Sequence, residues 1–216
     1  MDFERARFNM VEQQIRPWDV LDQEVLDTLM AVKRENFVPE AHRNLAFADI
    51  QVPLGEGQVM LEPKIEAKVL QALALKKTDT VLEIGTGSGY MAALLAAQAE
   101  FVRSVEIDPR LATLAQDNLN RARVDNVIVE EGDGAAGWPA RGPYDVIVVS
   151  AAVSAVPQAM LEQLKPGGRL VAFVGEAPVM SAELVTCVAP GSFETVKLFE
   201  TLAPKLTAPA ASRFQF

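Results

Sequence analysis

Short apolar runs alternate with amphipathic stretches along most of the chain. The apolar runs cover 81–84, 101–105, 126–129, 144–150 and 169–174, and each has the length of a buried strand. Between several of them, hydrophobic residues recur every three to four positions, which is the spacing of an amphipathic helix. This alternation predicts an α/β fold with a doubly wound, mostly parallel sheet.

Helical spacing also precedes the first of these strands. One helix is predicted over roughly 2–15, and a second begins after Asp22, because Asp is a favoured helix-capping residue. A third helix is predicted to begin at Pro63, since proline suits the first helical position. The inner faces of the second and third helices carry Val25, Leu26, Leu29 and Val32, and Ile65, Val69 and Leu73. Residues 1–78 are thus predicted as a region of helices and a substrate loop.

The carboxyl-terminal part of the chain has a different pattern. Pro166-Gly167-Gly168 predicts a type II turn before the strand at 169–174. Two further runs, at 182–189 and 193–202, flank Pro190-Gly191-Ser192 and predict an antiparallel pair at the sheet edge. We expect one domain over 1–216, with a cofactor-binding sheet core at 79–202 and an irregular tail at 203–216.

Composition narrows the functional classes. The 216 residues are 50% hydrophobic, have a formal charge of −9, and include one cysteine, Cys187. The charge disfavours nucleic acid as a partner, and the single cysteine excludes an internal disulfide. No apolar stretch is long enough to span a membrane and no signal-peptide core is evident, so we expect a cytoplasmic protein. His42, the only histidine, is expected on a surface helix, and no metal site is expected.

The run V-L-E-I-G-T-G-S-G-Y at 81–90 is the most informative segment of the chain. An apolar strand enters a glycine-rich turn there, and the small residues at 91–97 predict a helix directly after it. Glycines let the backbone approach a ligand closely, and a helix amino end favours polar ligand groups. The spacing G-x-G-x-G differs from the dinucleotide fingerprint, and the P-loop lysine is missing.

This segment resembles the S-adenosylmethionine site of class I methyltransferases, with Glu83 as a buried acid that suits an ammonium or amide group. Glu106 lies about 20 residues after the glycine loop, which is the place of an acid that binds ribose hydroxyls. Asp133 stands between two glycines and is a candidate for facing adenine. The alternatives are a glycine turn that only packs helix on strand, a solvated charge at Glu106, and an ordinary Asp-Gly turn at Asp133.

Several further segments are similar to the protein-L-isoaspartate O-methyltransferase family. They are Asn36–Pro39, Ala46–Asp49, Val52–Gln58, the glycine loop, Ser104–Glu106, Gly132–Gly134 with Gly137-Trp138, and Ser150–Ala152. The resemblance implies a class I methyltransferase sheet with added amino-terminal helices and S-adenosylmethionine as cofactor. It implies an isoaspartyl protein, or a small-molecule carboxylate, as methyl acceptor. The implied cofactor-binding residues are Glu83, Gly85, Thr86, Gly87, Ser88, Gly89, Tyr90, Glu106, Ile107, Asp133 and Gly134.

The chain departs from the family in the segment that faces the acceptor. Family members usually carry Thr-Ile-Ser there, and the serine is thought to orient the substrate carboxylate, whereas this chain has Val59-Met60-Leu61. Leu61 occupies the serine position, so no catalytic residue is assigned. The segment is expected to bind substrate, as an apolar pocket, or to pack into the core. The strand before Pro204 departs from the family as well. It has the sequence Phe199-Glu200-Thr201-Leu202-Ala203, where family members tend to have an arginine or similar residue before Phe-Val-Pro-Leu.

These departures leave three hypotheses open: a carboxylate O-methyltransferase with weak or altered isoaspartyl activity, a methyltransferase for an apolar small molecule, and a non-catalytic S-adenosylmethionine-binding protein. The run Ser150-Ala151-Ala152-Val153 lacks Asn-Pro-Pro-Tyr, which disfavours methylation of adenine or glutamine nitrogen. Trp18 is expected to be a packed aromatic anchor, with a mobile cover over the active site as the alternative. The sequence predicts no oligomeric state.

Overall fold

A seven-stranded sheet forms the centre of the protein in a computed structural model that describes residues 2–207. Its strand order is β5-β4-β3-β6-β7-β8-β9; the first five of these strands run parallel, and β8 and β9 pair antiparallel at one edge. The strands are β3 (Thr80–Ile84), β4 (Phe101–Glu106), β5 (Val127–Glu131), β6 (Tyr144–Val153), β7 (Leu164–Glu176), β8 (Val179–Ala189) and β9 (Ser192–Glu200). The expected mostly parallel sheet with an antiparallel carboxyl-terminal edge is confirmed.

Six α-helices accompany the strands in the described part of the chain. They are α1 (Phe3–Met10), α2 (Gln23–Ala31), α3 (Pro63–Leu73), α4 (Tyr90–Gln98), α5 (Pro109–Ala122) and α6 (Gln158–Leu161). The Asp22 side chain accepts hydrogen bonds from the N–H groups of Glu24 and Val25, and Pro63 opens α3, both as predicted. The first predicted helix is α-helical only to Met10 and continues to Ile15 as a wider π-helix.

Three features differ from the sequence prediction. Val52–Gly55 (β1) and Gln58–Met60 (β2) form a separate antiparallel hairpin, where the sequence predicted a loop. β7 begins at Leu164 rather than at residue 169, because the strand bulges between its pairings at Leu164 and Arg169; Gly167 takes φ +77° in that bulge. Residues 203–207 return to β6 through a bridge between Lys205 and Ala152, and 208–216 of the expected tail lie outside the described residues.

The strand order reverses direction at β3, which lies between β4 and β6. Open parallel sheets bind ligands at the carboxyl ends of the strands beside such a reversal. The glycine loop leaves β3 at this point, and Ser150 lies in the final part of β6. Over residues 2–207, the structure contains no helix with both the length and the apolar character needed to cross a membrane.

Candidate active site

A cleft of about 550 Å³, counting the space at its mouth, opens at the carboxyl ends of β3, β4 and β6. The lining residues come from six parts of the chain: Leu54, Gln58 and Val59; Ile84, Gly85 and Gly87; Val105, Glu106, Ile107 and Leu111; Gly132–Ala135; Ser150 and Ala151; and Pro204–Thr207. Segments far apart in sequence therefore share one cavity.

The glycine loop forms the floor of the cleft. Gly85, Gly87 and Gly89 take φ values of +89°, +55° and +83°, which residues with a side chain rarely adopt. A Cβ on Gly89 would also lie only 3.3 Å from Ala115 on α5. The sequence G-x-G-x-G is thus required for the backbone path that turns β3 into α4 and brings main-chain groups to the ligand.

Glu83 is a buried carboxylate with no cationic partner among its hydrogen-bond donors. Its Oε2 accepts from Ser104 Oγ at 2.6 Å and its Oε1 from Ser150 Oγ at 3.1 Å. Burial, with a smaller contribution from nearby Glu106 and Glu66, raises the pKa of Glu83 to about 8. With this pKa, Glu83 is mostly protonated at neutral pH in the ligand-free protein, and a ligand that brings a positive group would favour its charged form by pairing with it. The α-ammonium of S-adenosylmethionine is such a group.

Glu106 lies at the end of β4 and lines the cleft. Its two carboxylate oxygens accept hydrogen bonds from the N–H of Gly87 at 2.9 Å and the N–H of Asp108 at 3.0 Å. The side chain is 5% exposed. Glu106 is therefore held in place by the glycine loop rather than solvated at a strand end, and its position suits hydrogen bonds from ribose hydroxyls.

Asp133 both forms a turn and lines the cleft. Its Oδ1 accepts a hydrogen bond from the N–H of Ala135 at 2.9 Å, which is the turn geometry of a short acidic side chain. The residue also lines the cleft together with Ile107 and Gly134. The turn thus places an acid and a glycine backbone in the wall of the cleft.

A smaller cavity adjoins the cleft and contains the segment that departs from the family. Val59, Met60 and Leu61 line it with Glu83, Thr86 and Ser88, and the two cavities share Val59, Gly85, Gly87 and Ser150. Met60 and Leu61 are 3% and 7% exposed and belong to the hydrophobic core, whereas Val59 is half-buried. The segment both packs into the core and contacts the cavity.

An arginine fixes this segment from below. Arg34 donates from Nη2 to the Leu61 carbonyl oxygen at 2.6 Å and pairs through Nη1 with Glu66, which also lines the smaller cavity. Burial raises the pKa of Glu66 to about 7 despite the opposing effect of Arg34. The backbone of the acceptor segment is thereby tied to a buried ion pair.

Two of the predicted cofactor residues do not line either cavity. Tyr90 is 1% exposed and packs against Phe37 and the Arg34 guanidinium, and Gly89 acts through its backbone turn. Both lie at the amino end of α4, whose first turn faces the core, and their contact with the cofactor stays a prediction. The other nine predicted cofactor residues, and Val59, Met60 and Leu61, line one or both cavities.

Several lining residues were missed by sequence reasoning. Leu54 and Gln58 belong to the β1–β2 hairpin, and Pro204–Thr207 belong to the described part of the tail. The G-x-G-Q segment at 55–58 was a usable signal for Gln58, but the approach of the tail depends on contacts between residues about 150 positions apart. Gln58 Nε2 donates to Thr207 Oγ1 at 3.0 Å, and Gln51 Nε2 donates to the Leu202 carbonyl oxygen at 3.0 Å.

The structure also shows the surroundings of His42 and Trp18. His42 lies half-buried in a short 3-10 helix, Glu40–Leu45. Trp18 is 51% exposed, so its prediction as a packed anchor is wrong; its ring lies under the ammonium groups of Lys64 and Lys68.

Comparisons with known proteins agree with this geometry. The family model for protein-L-isoaspartate(D-aspartate) O-methyltransferase matches residues 5–200. A protein-L-isoaspartate O-methyltransferase of Methanoculleus marisnigri is 46% identical over 195 residues, covering 90% of this chain and 88% of its relative. A second one, of an Anaeromyxobacter species, is 41% identical over 207 residues, covering 95% and 83%.

Solved structures show the same fold. One protein-L-isoaspartate O-methyltransferase superposes with a TM-score of 0.82 at 27% identity, covering 94% of this chain and 66% of that one. A Plasmodium falciparum protein described with S-adenosyl-L-homocysteine gives 0.82 at 19% identity, covering 96% and 99%, and this match concerns the fold alone. The chain belongs to the protein-L-isoaspartate(D-aspartate) O-methyltransferase family and is an S-adenosylmethionine-dependent methyltransferase.

Proposed function

We propose that this enzyme methylates the free carboxylate of isoaspartyl residues in proteins. The observation that carries the proposal is the buried carboxyl group of Glu83, which lines the smaller cavity and accepts a hydrogen bond from Ser150, a residue that lines both cavities. A cationic methyl donor fits the cleft on one side of this point, and an acceptor fits the smaller cavity on the other. The family's name indicates which acceptor that is.

The residues of the cleft have distinct roles in this proposal. Glu83 holds the ammonium end of the cofactor, Glu106 accepts hydrogen bonds from the ribose hydroxyls, and Asp133 with Gly134 lies against the adenine. S-adenosylmethionine, when bound, supplies a methyl group on a sulfonium, whose C–S bond breaks as a carboxylate oxygen forms the new C–O bond. The glycine loop and the β1–β2 hairpin both line the cleft.

The acceptor requires orientation rather than a base. A side-chain carboxylate has a reference pKa near ~4 and is ionised at neutral pH, so no proton has to be removed. In-line placement is then the main contribution of the protein. Val59 and Leu61 offer no hydroxyl for it, and we expect a slower reaction than in an enzyme with Thr-Ile-Ser at these positions.

The two alternative functions have no support among the relatives. The matched curated proteins bear the isoaspartate name, and none of those reported above is described as a small-molecule methyltransferase or a non-catalytic protein.

The single cysteine, Cys187, is a buried free thiol, which agrees with the cytoplasm as the proposed site of action.

A matched pair of peptides tests the proposal. Two peptides of one sequence, with isoaspartate or aspartate at the same position, are incubated with the enzyme and methyl-labelled S-adenosylmethionine. We expect base-labile label on the isoaspartyl peptide only, and none when the enzyme carries Glu83→Gln. Equal labelling of both peptides, or labelling of neither, would contradict the proposed acceptor.

A further inference from the structure

Two lysines and two aromatic rings form a patch where α3 packs near the amino-terminal segment and β9. We refer to Trp18, Lys64, Lys68 and Phe199 as the lysine patch. Lys68 Nζ lies 4.4 Å from the ring centroid of Phe199 and 5.7 Å from that of Trp18, and Lys64 Nζ lies 4.4 Å from the Trp18 centroid. These rings come from the amino-terminal segment and from β9, so the patch joins distant parts of the chain.

The two lysines differ in their ionic partners. Lys64 Nζ donates to Asp49 Oδ2 at 2.7 Å. Within residues 2–207, no carboxylate lies within ion-pair distance of Lys68. Its ammonium is half-exposed and is held only by ring faces. Cation–π contacts of this kind restrict the side chain without neutralising its charge.

Contacts connect the lysine patch to the segments that reach the cleft. Lys64 pairs with Asp49, and Gln51 Nε2 donates to the Leu202 carbonyl oxygen. Pro204, two residues after Leu202, lines the cleft. An extended peptide advances about 3.3 Å per residue, so a substrate bound in the cleft that continues toward the patch would bring a flanking side chain to it.

The net charge of the protein bears on which kind of substrate side chain Lys68 would bind. With a formal charge of −9, the protein repels acidic peptides over most of its surface. At the lysine patch, an unpaired and pre-ordered ammonium instead favours a carboxylate, because little side-chain freedom remains to be lost on binding.

We infer that Lys68 is a specificity-determining residue, which binds an Asp or Glu side chain two or three residues from the isoaspartyl residue of the substrate. Trp18 and Phe199 position it, and Lys64 adds positive charge. The inference rests on the proposed function. It concerns which isoaspartyl sites the enzyme prefers, not whether it methylates them.

Peptide pairs that differ in one flanking residue test the inference. Each pair carries isoaspartate with Glu or Gln at one of four positions: two or three residues before or after it. For at least one position, the wild-type enzyme is expected to have a kcat/KM about two- to fivefold higher for Glu, mostly through KM, with the difference shrinking at high salt. Lys68→Gln should abolish this ratio, and Lys68→Arg should keep most of it.

Lys77→Gln is the matched control. Lys77 follows the other end of α3, where it contacts Glu24 and the Ala97 carbonyl oxygen, and its removal should leave the Glu/Gln ratio unchanged. A wild-type ratio of one at all four positions would overturn the inference, as would an equal loss on Glu and Gln peptides in Lys68→Gln, which would indicate a purely structural role. Absence of methylation of the Gln peptides by every variant would instead contradict the proposed function.

Discussion

Glu106 illustrates how one side chain serves both the fold and the ligand. Its carboxylate bonds to the N–H groups of Gly87 and Asp108, which keeps it in one orientation at the edge of the cleft. Hydrogen bonds from ribose hydroxyls would then form without further ordering of the side chain, which favours binding.

Glu106→Ala should weaken S-adenosylmethionine binding by about 1.5–3 kcal/mol, because charge-assisted hydrogen bonds to the ribose are lost. Calorimetric titration measures the effect. Glu131→Ala is the control, since Glu131 lies opposite Glu106 at the end of β5 but is exposed and outside the cleft lining. Equal affinities of Glu106→Ala and the wild type would remove this residue from the cofactor site.

Val59→Thr with Leu61→Ser should raise kcat/KM on an isoaspartyl peptide by roughly ten- to a hundredfold, because a hydrogen bond to a charged acceptor contributes about 1.5–3 kcal/mol. Leu61 is a core residue, so the gain should be accompanied by a loss of stability of roughly 2–5 kcal/mol. Labelled-methyl kinetics and thermal unfolding measure the two effects.

Val59→Thr alone changes shape little and serves as the control for that pair. A double variant that is folded but no faster than the wild type would show that the acceptor depends on other groups for its orientation.

At the residue scale, the sequence predicts those site residues that belong to one continuous motif. Glu83, Gly85 and Gly87 follow from one strand and its turn, and Glu106 follows from the strand after it. The burial of Tyr90 was not predicted, because its position in the motif does not reveal which side of α4 faces the core. Ser150 is missed as a partner of Glu83 because that contact joins residues 67 positions apart.

The β1–β2 hairpin is the element that covers the cleft. Glu56 at its tip pairs with both Nη groups of Arg110 at the start of α5, and Arg110 also pairs with Asp108 at 2.5 Å. On its other side, the hairpin bonds to Thr207 through Gln58. The hairpin is thus bonded to α5 on one side and to the segment at 203–207 on the other, and the contact with α5 consists of exposed charges.

Glu56→Gln should raise the rate of cofactor dissociation by about two- to fivefold, since an exposed ion pair stabilises the closed hairpin only weakly. Stopped-flow displacement at low and high salt measures it, and the difference from the wild type should shrink as salt screens the pair. Glu24→Gln, which removes a comparable exposed acid far from the hairpin, should not change the rate. A salt-independent effect would mean that charge pairing is not the cause.

The order of helices and strands is predictable because each element has its own periodicity and caps. The β1–β2 hairpin could not be predicted, because strands of four and three residues are too short to show a periodic pattern. The start of β7 at Leu164 was not predicted, because Pro166-Gly167-Gly168 has the sequence of a turn. In the structure these residues lie in a bulge within the strand.

Across the whole molecule, two buried acids make stability depend on pH. The folded-state pKa values of about 8 for Glu83 and about 7 for Glu66 lie above the ordinary value of 4.5. The folded protein therefore holds more protons than the unfolded chain between these values, and its stability decreases as pH rises.

From pH 5.5 to 8.5, the free energy of unfolding of the ligand-free enzyme should fall, by at most about 1.4 kcal/mol per pH unit for each acid. Urea unfolding at a series of pH values measures the slope. Glu83→Gln should flatten it above pH 7, where Glu66 contributes less. A stability that rises over this range would contradict the high pKa of both acids.

The whole architecture was predictable from the repeated strand–helix pattern, but the closure of the site was not. Pro204 and Leu206 form main-chain hydrogen bonds with Ala152 at 2.7 and 2.8 Å, and the segment's sequence contains no periodic signal. Pairing of this kind depends on the three-dimensional position of β6 and not on local preference.

The same closure determines when the enzyme becomes competent during its synthesis. The cleft takes residues from Leu54 through Thr207, so a ribosome has made nearly all the described chain before the last wall of the cavity exists. The glycine loop is made much earlier, so the residues that form the floor of the cleft precede in synthesis the residues that close it.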